Sequence, residues 1–204
     1  ARQLQRNVLT DRDAGNHDNP DTMKITALVI LTDNFEEIEA VTPIDILRRA
    51  EVAVTVASRT VSRSVTGRSG IALEADCLLD DVGETDYDLV ILPGGPGHVG
   101  LRNDFRVAAI VKAHAARGKL VSAICAAPTV LKDAGLLSGR RFTAHFSVAA
   151  ELPGLVESEE VVADGNIITS RGAGTSVPFA LALVERLCGS EKALKIAHAI
   201  CYKA

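Results

Sequence analysis

Hydrophobic positions along this chain alternate between short continuous runs and longer runs with helical spacing. Ile25–Leu31, Val52–Ala57, Asp88–Leu92 and Lys119–Ile124 are apolar almost throughout, as strands buried on both faces require. Glu36–Ala50, Phe105–Arg117, Ala126–Ala134, Thr175–Cys188 and Glu191–Tyr202 carry helix-like patterns. Val161–Ala163 and Asn166–Thr169 flank Asp164-Gly165, a two-residue turn that predicts a β-hairpin. Arg141–Thr143 reads as one more short strand. The alternation predicts an α/β fold in which a mostly parallel sheet is covered on both faces, with a small added hairpin. Active sites of such sheets collect at the carboxyl ends of the strands, so the residues after Leu31, Ala57, Leu92 and Ile124 carry the search for chemistry.

Residues 1–22 are polar and lack any apolar period, and Met23 stands directly before the first strand. The expected division is a polar extension over 1–22 and a single domain over 23–204.

Composition narrows the function classes. With 47% hydrophobic and 24% charged residues the chain is that of a globular domain. A net charge of −4, basic residues interspersed with acids, and 3% aromatics argue against a nucleic-acid partner or an anionic membrane surface. No apolar run is long enough to span a bilayer. Cys77, Cys125, Cys188 and Cys201 are widely spaced with no Cys-x-x-Cys pair, which supports neither a disulfide framework nor a zinc site. The expectation is reduced thiols in a reducing, cytoplasmic compartment, with no metal and no cofactor.

Three segments carry candidate chemistry. In Lys119-Leu-Val-Ser-Ala-Ile-Cys125-Ala-Ala-Pro128 a buried strand runs into small residues that open a helix, and Cys125 takes the corner. A helix N-terminus there favours thiolate over thiol, so the sequence predicts a Cys125 pKa below the free value of about 8.5. A buried cysteine that merely packs like a small hydrophobe is the bland alternative, and the strand-end position favours function. Cys77, Cys188 and Cys201 lack that setting.

In Thr32-Asp-Asn-Phe-Glu36-Glu37-Ile-Glu39-Ala-Val-Thr42-Pro43, Asp33 or Asn34 suits a helix cap, and Glu36 and Glu37 suit the positive helix end. Pro43 has no N–H for the Glu39 carbonyl, so the turn is expected to open there, with a second helix start at Thr42-Pro43. Glu39 would then project from an irregular turn as a functional carboxyl.

In Leu92-Pro-Gly94-Gly95-Pro96-Gly97-His98-Val99-Gly100, positions 95–100 match G-x-G-x-x-G after a strand. Pro96 removes a phosphate-facing N–H, helical pattern resumes only near Asp104, and no ribose-binding acid follows. The segment reads as a tight turn that exposes the Gly95 N–H to the neighbouring strand end. His145 is the one histidine placed at an expected strand end. His114 and His198 fall within helices, and His17 within the extension. For His145, packing and catalysis are equally good readings.

Taken together, Glu39, Gly94-Gly95, Ala-Ile-Cys125-Ala-Ala-Pro and Ser170-Arg-Gly-Ala-Gly-Thr175 resemble the ThiJ/PfpI superfamily, nearest the parkinsonism-associated protein deglycase branch and its bacterial relatives. The resemblance covers about residues 24–200. It implies a flavodoxin-like three-layer sandwich, a homodimer, and a cysteine on a nucleophile elbow. It also implies Cys125 as nucleophile, a protonated Glu39 bonded to it, and an oxyanion pocket from the Gly95 and Ala126 amides with Gly94 beside them. His145 falls at the edge.

The implied activity is a cofactor-independent glyoxalase or deglycase acting on small 2-oxoaldehydes or their adducts. Two rivals accompany it. One is an oxidative-stress sensor or redox chaperone working through oxidation of Cys125. The other is a cysteine amidase or peptidase, disfavoured because Ala126 stands where members with that chemistry carry histidine. Glu74 stands where the animal protein has a second, peripheral redox cysteine.

Overall fold

The structure, a computed structural model, describes residues 24–83 and 85–203. The expected extension over 1–22, with His17 in it, lies outside the described residues. In chain order the elements are β1 (Thr26–Leu31), α1 (Glu37–Arg49), β2 (Ala53–Ser58), β3 (Ser64–Thr66), β4 (Ala72–Glu74), β5 (Cys77–Leu78) and β6 (Leu89–Leu92). There follow α2 (His98–Arg102), α3 (Phe105–Ala116), β7 (Leu120–Ile124), α4 (Pro128–Asp133), β8 (Val161–Asp164), β9 (Ile167–Ser170), α5 (Ser176–Cys188) and α6 (Ser190–Ala199). Single 3₁₀ turns cover Leu79–Asp81, Phe146–Glu151 and Ala173–Thr175.

Seven strands form one sheet in the order β5-β2-β1-β6-β7-β9-β8. All neighbours run parallel except β8, which pairs antiparallel with β9 as the Asp164-Gly165 turn predicts. The central strands alternate their side chains between two cores. Ala27, Val29 and Leu31 of β1 join Leu89 and Ile91 of β6 against α1, α5 and α6. Leu28, Ile30, Val90 and Leu92 face the opposite way, against Leu101 of α2, Val107 and Val111 of α3, and Val130 and Leu131 of α4. Both faces of the sheet are therefore dry, which explains why these strands read as unbroken apolar runs. Among the described residues, no helix is long and apolar enough to cross a membrane.

The β1–α1–β2 connection leads to one side of β1, and β6 lies on the other. The crevice between the carboxyl ends of β1 and β6 is thus the switch point of the sheet.

Four expectations need correction. First, α1 runs unbroken from Glu37 to Arg49 with Pro43 inside it. The missing Pro43 N–H costs one bond to the Glu39 carbonyl. Burial of Pro43, Ile44 and Leu47, together with an N-cap from Glu36, holds the helix through that gap. Second, Arg141–Thr143 is not a strand. Its Arg141 and Thr143 amides are satisfied by side chains, Asp164 Oδ2 and Thr169 Oγ1, instead of by a ladder. Third, a short helix already starts at His98, ahead of the one that Asp104 caps. Fourth, the spacing of Ile38, Val41, Ile44 and Leu47 reads as an amphipathic dimer face, but Ile44 and Leu47 lie in the chain's own core, and only Ile38 and Val41 of the four are exposed on α1.

A small hairpin, β3 with β4, escapes sequence reading. Its strands are three residues each, too short for a periodic signal. It is tied to the β1–α1 loop by Asn34 N–H donating to Thr66 O at 2.7 Å, Thr66 N–H to Asp33 Oδ1 at 3.0 Å, and Arg68 N–H to Phe35 O at 2.8 Å. Ser69 N–H adds a bond to Glu37 Oε1 at 2.7 Å.

Candidate active site

Cys125 follows β7 directly and has φ of 65°, a left-handed conformation that costs a residue with a side chain on the order of 1–3 kcal/mol. The strain is held from both sides. Cys125 N–H donates to Ser170 O at the end of β9 (2.9 Å), and Cys125 O accepts from His145 N–H (2.8 Å). The backbone thus makes a sharp elbow, and the sulfur stands over the carboxyl ends of the sheet. The amides of Gly95 and Ala126 lie beside it and favour its thiolate form. α4 itself begins only at Pro128, so the predicted helix start at Ala126 is a turn, and single amides do the work assigned to a helix end.

Glu39 lies in the first turn of α1, on the buried face it shares with Ala40, Pro43 and Ile44. Only 1% of its surface is accessible. Glu36, not Asp33 or Asn34, caps the helix, its Oε2 accepting from Glu39 N–H at 2.8 Å. Asp33 holds the hairpin instead. Gly94 N–H donates to Glu39 Oε2 at 2.9 Å. That amide is therefore spent on the carboxyl, and the expected place of Gly94 in the oxyanion pocket is corrected: it is a brace for Glu39.

Burial raises the Glu39 carboxyl to about 7; the Cys125 hydrogen bond pulls the other way, Glu36 adds to the rise, and the Gly94 amide and Arg68 oppose it. Burial, followed by the charge of Glu39 and its hydrogen bond, pushes the Cys125 thiol up to about 12, against the Gly95 and Ala126 amides. The expectation of a depressed cysteine pKa is thereby corrected for the state in which Glu39 is ionised. The amides act in the predicted direction but are outweighed by desolvation and a neighbouring carboxylate. Each group shifts the other, so their protonation is coupled. Protonation of Glu39 removes the charge repulsion on Cys125 and leaves burial as the main effect against the thiolate.

His145 lines the same cleft of about 290 Å³, as do Arg68, His98 and Ser147. Its backbone is pinned to Cys125, and among the described residues no hydrogen bond joins its ring to the sulfur. His98, missed by sequence reading, turns its Nδ1 to Gly95 O at 2.9 Å and so supports the Gly95 turn. A helix resuming right after Gly97 was the signal that would have found it. Arg68 arrives from the tip of the β3–β4 hairpin, a non-local placement with no sequence signal. A larger groove of about 400 Å³ between α5 and α6 is lined chiefly by apolar residues such as Leu181 and Leu194 and holds no nucleophile. Cys77 and Cys188 are half-buried and Cys201 exposed, all outside the cleft.

The structure is a flavodoxin-like α/β sandwich with a strained cysteine at the carboxyl end of β7 and a buried acid beside it. The chain belongs to the DJ-1/PfpI family, whose pattern matches residues 25–186. It is 39% identical over 176 residues to the Parkinson disease protein 7 homolog of Danio rerio, covering 83% of this chain and 93% of that protein. It is 33% identical over 180 residues to the glutathione-independent glyoxalase DJR-1.2 of Caenorhabditis elegans, covering 86% and 96%. Among solved structures, oxidized DJ-1 of Toxoplasma gondii superposes with a TM-score of 0.85 at 37% identity, over 88% of this chain and all of that one.

Proposed function

We propose that this protein is a glutathione-independent glyoxalase or deglycase that converts small 2-oxoaldehydes, free or as adducts, through Cys125. The observation that carries the reading is the buried Glu39 carboxyl, raised to about 7 and in contact with the sulfur. A carboxyl with that pKa gives and takes protons near neutrality, as general acid–base catalysis asks.

In the proposed sequence the Cys125 thiolate adds to the aldehyde carbon. The new oxyanion meets the Gly95 and Ala126 amides and takes the Glu39 proton, giving a hemithioacetal. The Glu39 carboxylate then removes the hydrogen on that carbon and returns it to the adjacent one, while the hydroxyl proton passes to the second oxygen. The product is a thioester of a 2-hydroxy acid, and water releases the acid and regenerates the thiol. No external electron acceptor is needed, because one carbon is oxidised as its neighbour is reduced. The resemblance to DJR-1.2 supports this choice of substrate class. The cleft takes a small molecule, and the reading includes no cofactor.

The test is lactate formation from methylglyoxal by purified protein in the absence of glutathione. Lactate formation that requires Cys125 supports the proposal. No turnover across several 2-oxoaldehydes overturns it.

A second reading has its own support. A protonated Glu39 beside the sulfur would also hydrogen-bond a Cys125 sulfinate formed by two successive peroxide oxidations. The oxidized relative from Toxoplasma gondii favours keeping it in view. The amidase or peptidase reading has less support, since the His145 ring makes no bond to the sulfur.

The assembly proposed with this activity is a homodimer through the exposed Ile38 and Val41 of α1, beside Leu73 of β4. The compartment proposed is the reducing cytoplasm, which suits unpaired thiols.

A further inference from the structure

We propose that Ser147 fixes the His145 ring as the Nε2–H tautomer, so that His145 offers the substrate a hydrogen bond at its second oxygen and does not act as a base for Cys125. The substrate half of this inference rests on the glyoxalase reading. The tautomer half rests on geometry alone.

A backbone amide can only donate. Ser147 N–H points at His145 Nδ1 from 3.2 Å, and the Ser147 hydroxyl lies 2.8 Å from the same nitrogen. Nδ1 thereby caps the 3₁₀ turn Phe146–Glu151, satisfying an amide that the turn itself leaves free. A ring nitrogen that accepts must present its lone pair, so a neutral imidazole carries its proton on the other nitrogen. The backbone cannot swing away to change this, because His145 N–H is bonded to Cys125 O. Phe146 packs on the ring with centroids 4.0 Å apart and 34° between planes.

The remaining polar edge is Cδ2–Nε2. Cδ2 lies 3.3 Å from the point where a side chain on Gly172 would begin, and that point is 3.8 Å from Glu39 Oε1. Cδ2, the neighbour of Nε2 in the ring, therefore lies on the Glu39 side of the cleft across a glycine, and His145 lines that cleft. A ring in this tautomer has no lone pair to offer there.

The chemistry of the reaction gives a donor at that edge a use. When Glu39 removes the hydrogen from the carbon bonded to sulfur, negative charge builds on the oxygen of the neighbouring carbon. A fixed N–H within reach of that oxygen would stabilise the charge where it develops and need no reorganisation. Ser147 is then a positioning residue, acting through His145.

The experiment has two arms. Long-range ¹H–¹⁵N spectra of the imidazoles in the wild-type protein, with the His145 signals assigned by their loss in His145→Gln, read the tautomer directly. Nδ1 is expected to be pyridine-like and Nε2 pyrrole-like. The reverse pattern, or averaging of the two, overturns the proposal. Ser147→Pro removes both donors at a first-turn position where proline is tolerated, and is expected to release the ring into mixed tautomers. Should circular dichroism show it unfolded, the wild-type spectrum still decides.

The second arm measures kcat/KM for methylglyoxal. The Gln side-chain amide reaches the place of Nε2 and still donates. His145→Gln is therefore expected to stay within several-fold of wild type, and His145→Ala to fall roughly 10²-fold. Equal losses in both variants would mean a base, and would overturn the donor role. If wild type turns over no 2-oxoaldehyde, the glyoxalase reading and the donor role fall together, and the spectra decide the tautomer separately.

Discussion

The Gly94 amide donates to Glu39 Oε2 at 2.9 Å, tying the end of β6 to the first turn of α1. This bond holds a carboxyl in a dry crevice, and the absence of a side chain at residue 94 makes it possible. A β-carbon there would lie 2.8 Å from Cys125 Cβ, 2.8 Å from Glu39 Oε2 and 2.9 Å from Ile124 O.

Gly94→Ala is accordingly expected to push the acid and the thiol apart. Overpacking of this kind costs about 1–3 kcal/mol. Thermal unfolding should show the loss, and Cys125 alkylation should lose its dependence on Glu39. A variant as stable and as active as wild type would mean that the close approach of the three residues is unimportant.

Stability should carry the signature of the buried acid. Glu39 is raised from 4.5 to about 7 in the folded chain. A group whose folded pKa is raised contributes stability that is full below the unfolded value and is lost as pH climbs through the folded one. The gap corresponds to roughly 3 kcal/mol, lost between about pH 4.5 and pH 7. Glu39→Gln has no such proton to lose. Wild type minus variant, measured by denaturant unfolding across that window, should therefore fall with pH, and the variant should be the more stable protein at pH 8. A pH-independent difference would contradict a raised carboxyl.

The thiol tests the same pair from the other side. Its hydrogen bond lowers the Glu39 pKa. Cys125→Ala should therefore move the carboxyl midpoint above about 7, as read by ¹³C NMR of the Glu39 side chain. A midpoint shifted down toward 4.5 would show that burial is not the main cause of the raised value.

Much of this site was legible in the sequence because its parts sit next to strand ends. Cys125, Gly95, Ala126 and Glu39 each follow a run whose apolar pattern marks a buried strand, and the parallel register of β1, β6 and β7 brings those ends together. What was missed depends on contacts between distant segments. Arg68 reaches the cleft only because Asp33, Phe35 and Glu37 bind the hairpin tip. The unbroken course of α1 past Pro43 reflects packing against α5 and the sheet, which overrides a local hydrogen-bond deficit. The thiol's electrostatics were misjudged because helix-end position is visible in sequence, whereas desolvation and the Glu39 charge are not.

Assembly gives a mutational test. Ile38 is 53% and Val41 43% exposed. If these residues seat a second copy, sedimentation at micromolar concentration should give about twice the 21.5 kDa chain mass. Ile38→Lys with Val41→Lys should shift the protein to monomer without loss of fold. A wild-type monomer would refute the dimer.

Catalyst and sensor are separated by what Glu39→Gln takes away. Gln still donates a hydrogen bond to the sulfur, but its amide cannot carry a proton between two carbons. If the protein is a catalyst, 2-oxoaldehyde consumption should fall roughly 10²–10⁴-fold in Glu39→Gln, the usual general acid–base contribution. Cys125 in that variant should remain open to alkylation, since the elbow is held by Ser170 and His145 and not by Glu39. Cys125→Ala should abolish turnover, because no covalent adduct forms. If the protein is a sensor, wild type has no turnover to lose. Peroxide should then drive Cys125 to a stable sulfinate in both wild type and Glu39→Gln, with mass increases confined to the peptide bearing Cys125. Turnover persisting undiminished in Cys125→Ala would refute the thiol mechanism altogether. The raised Glu39 carboxyl favours the catalyst. Holding a sulfinate asks only for a hydrogen-bond donor, which an amide supplies equally well. An acid whose burial raises its pKa to about 7 is, by contrast, suited to a proton that has to move.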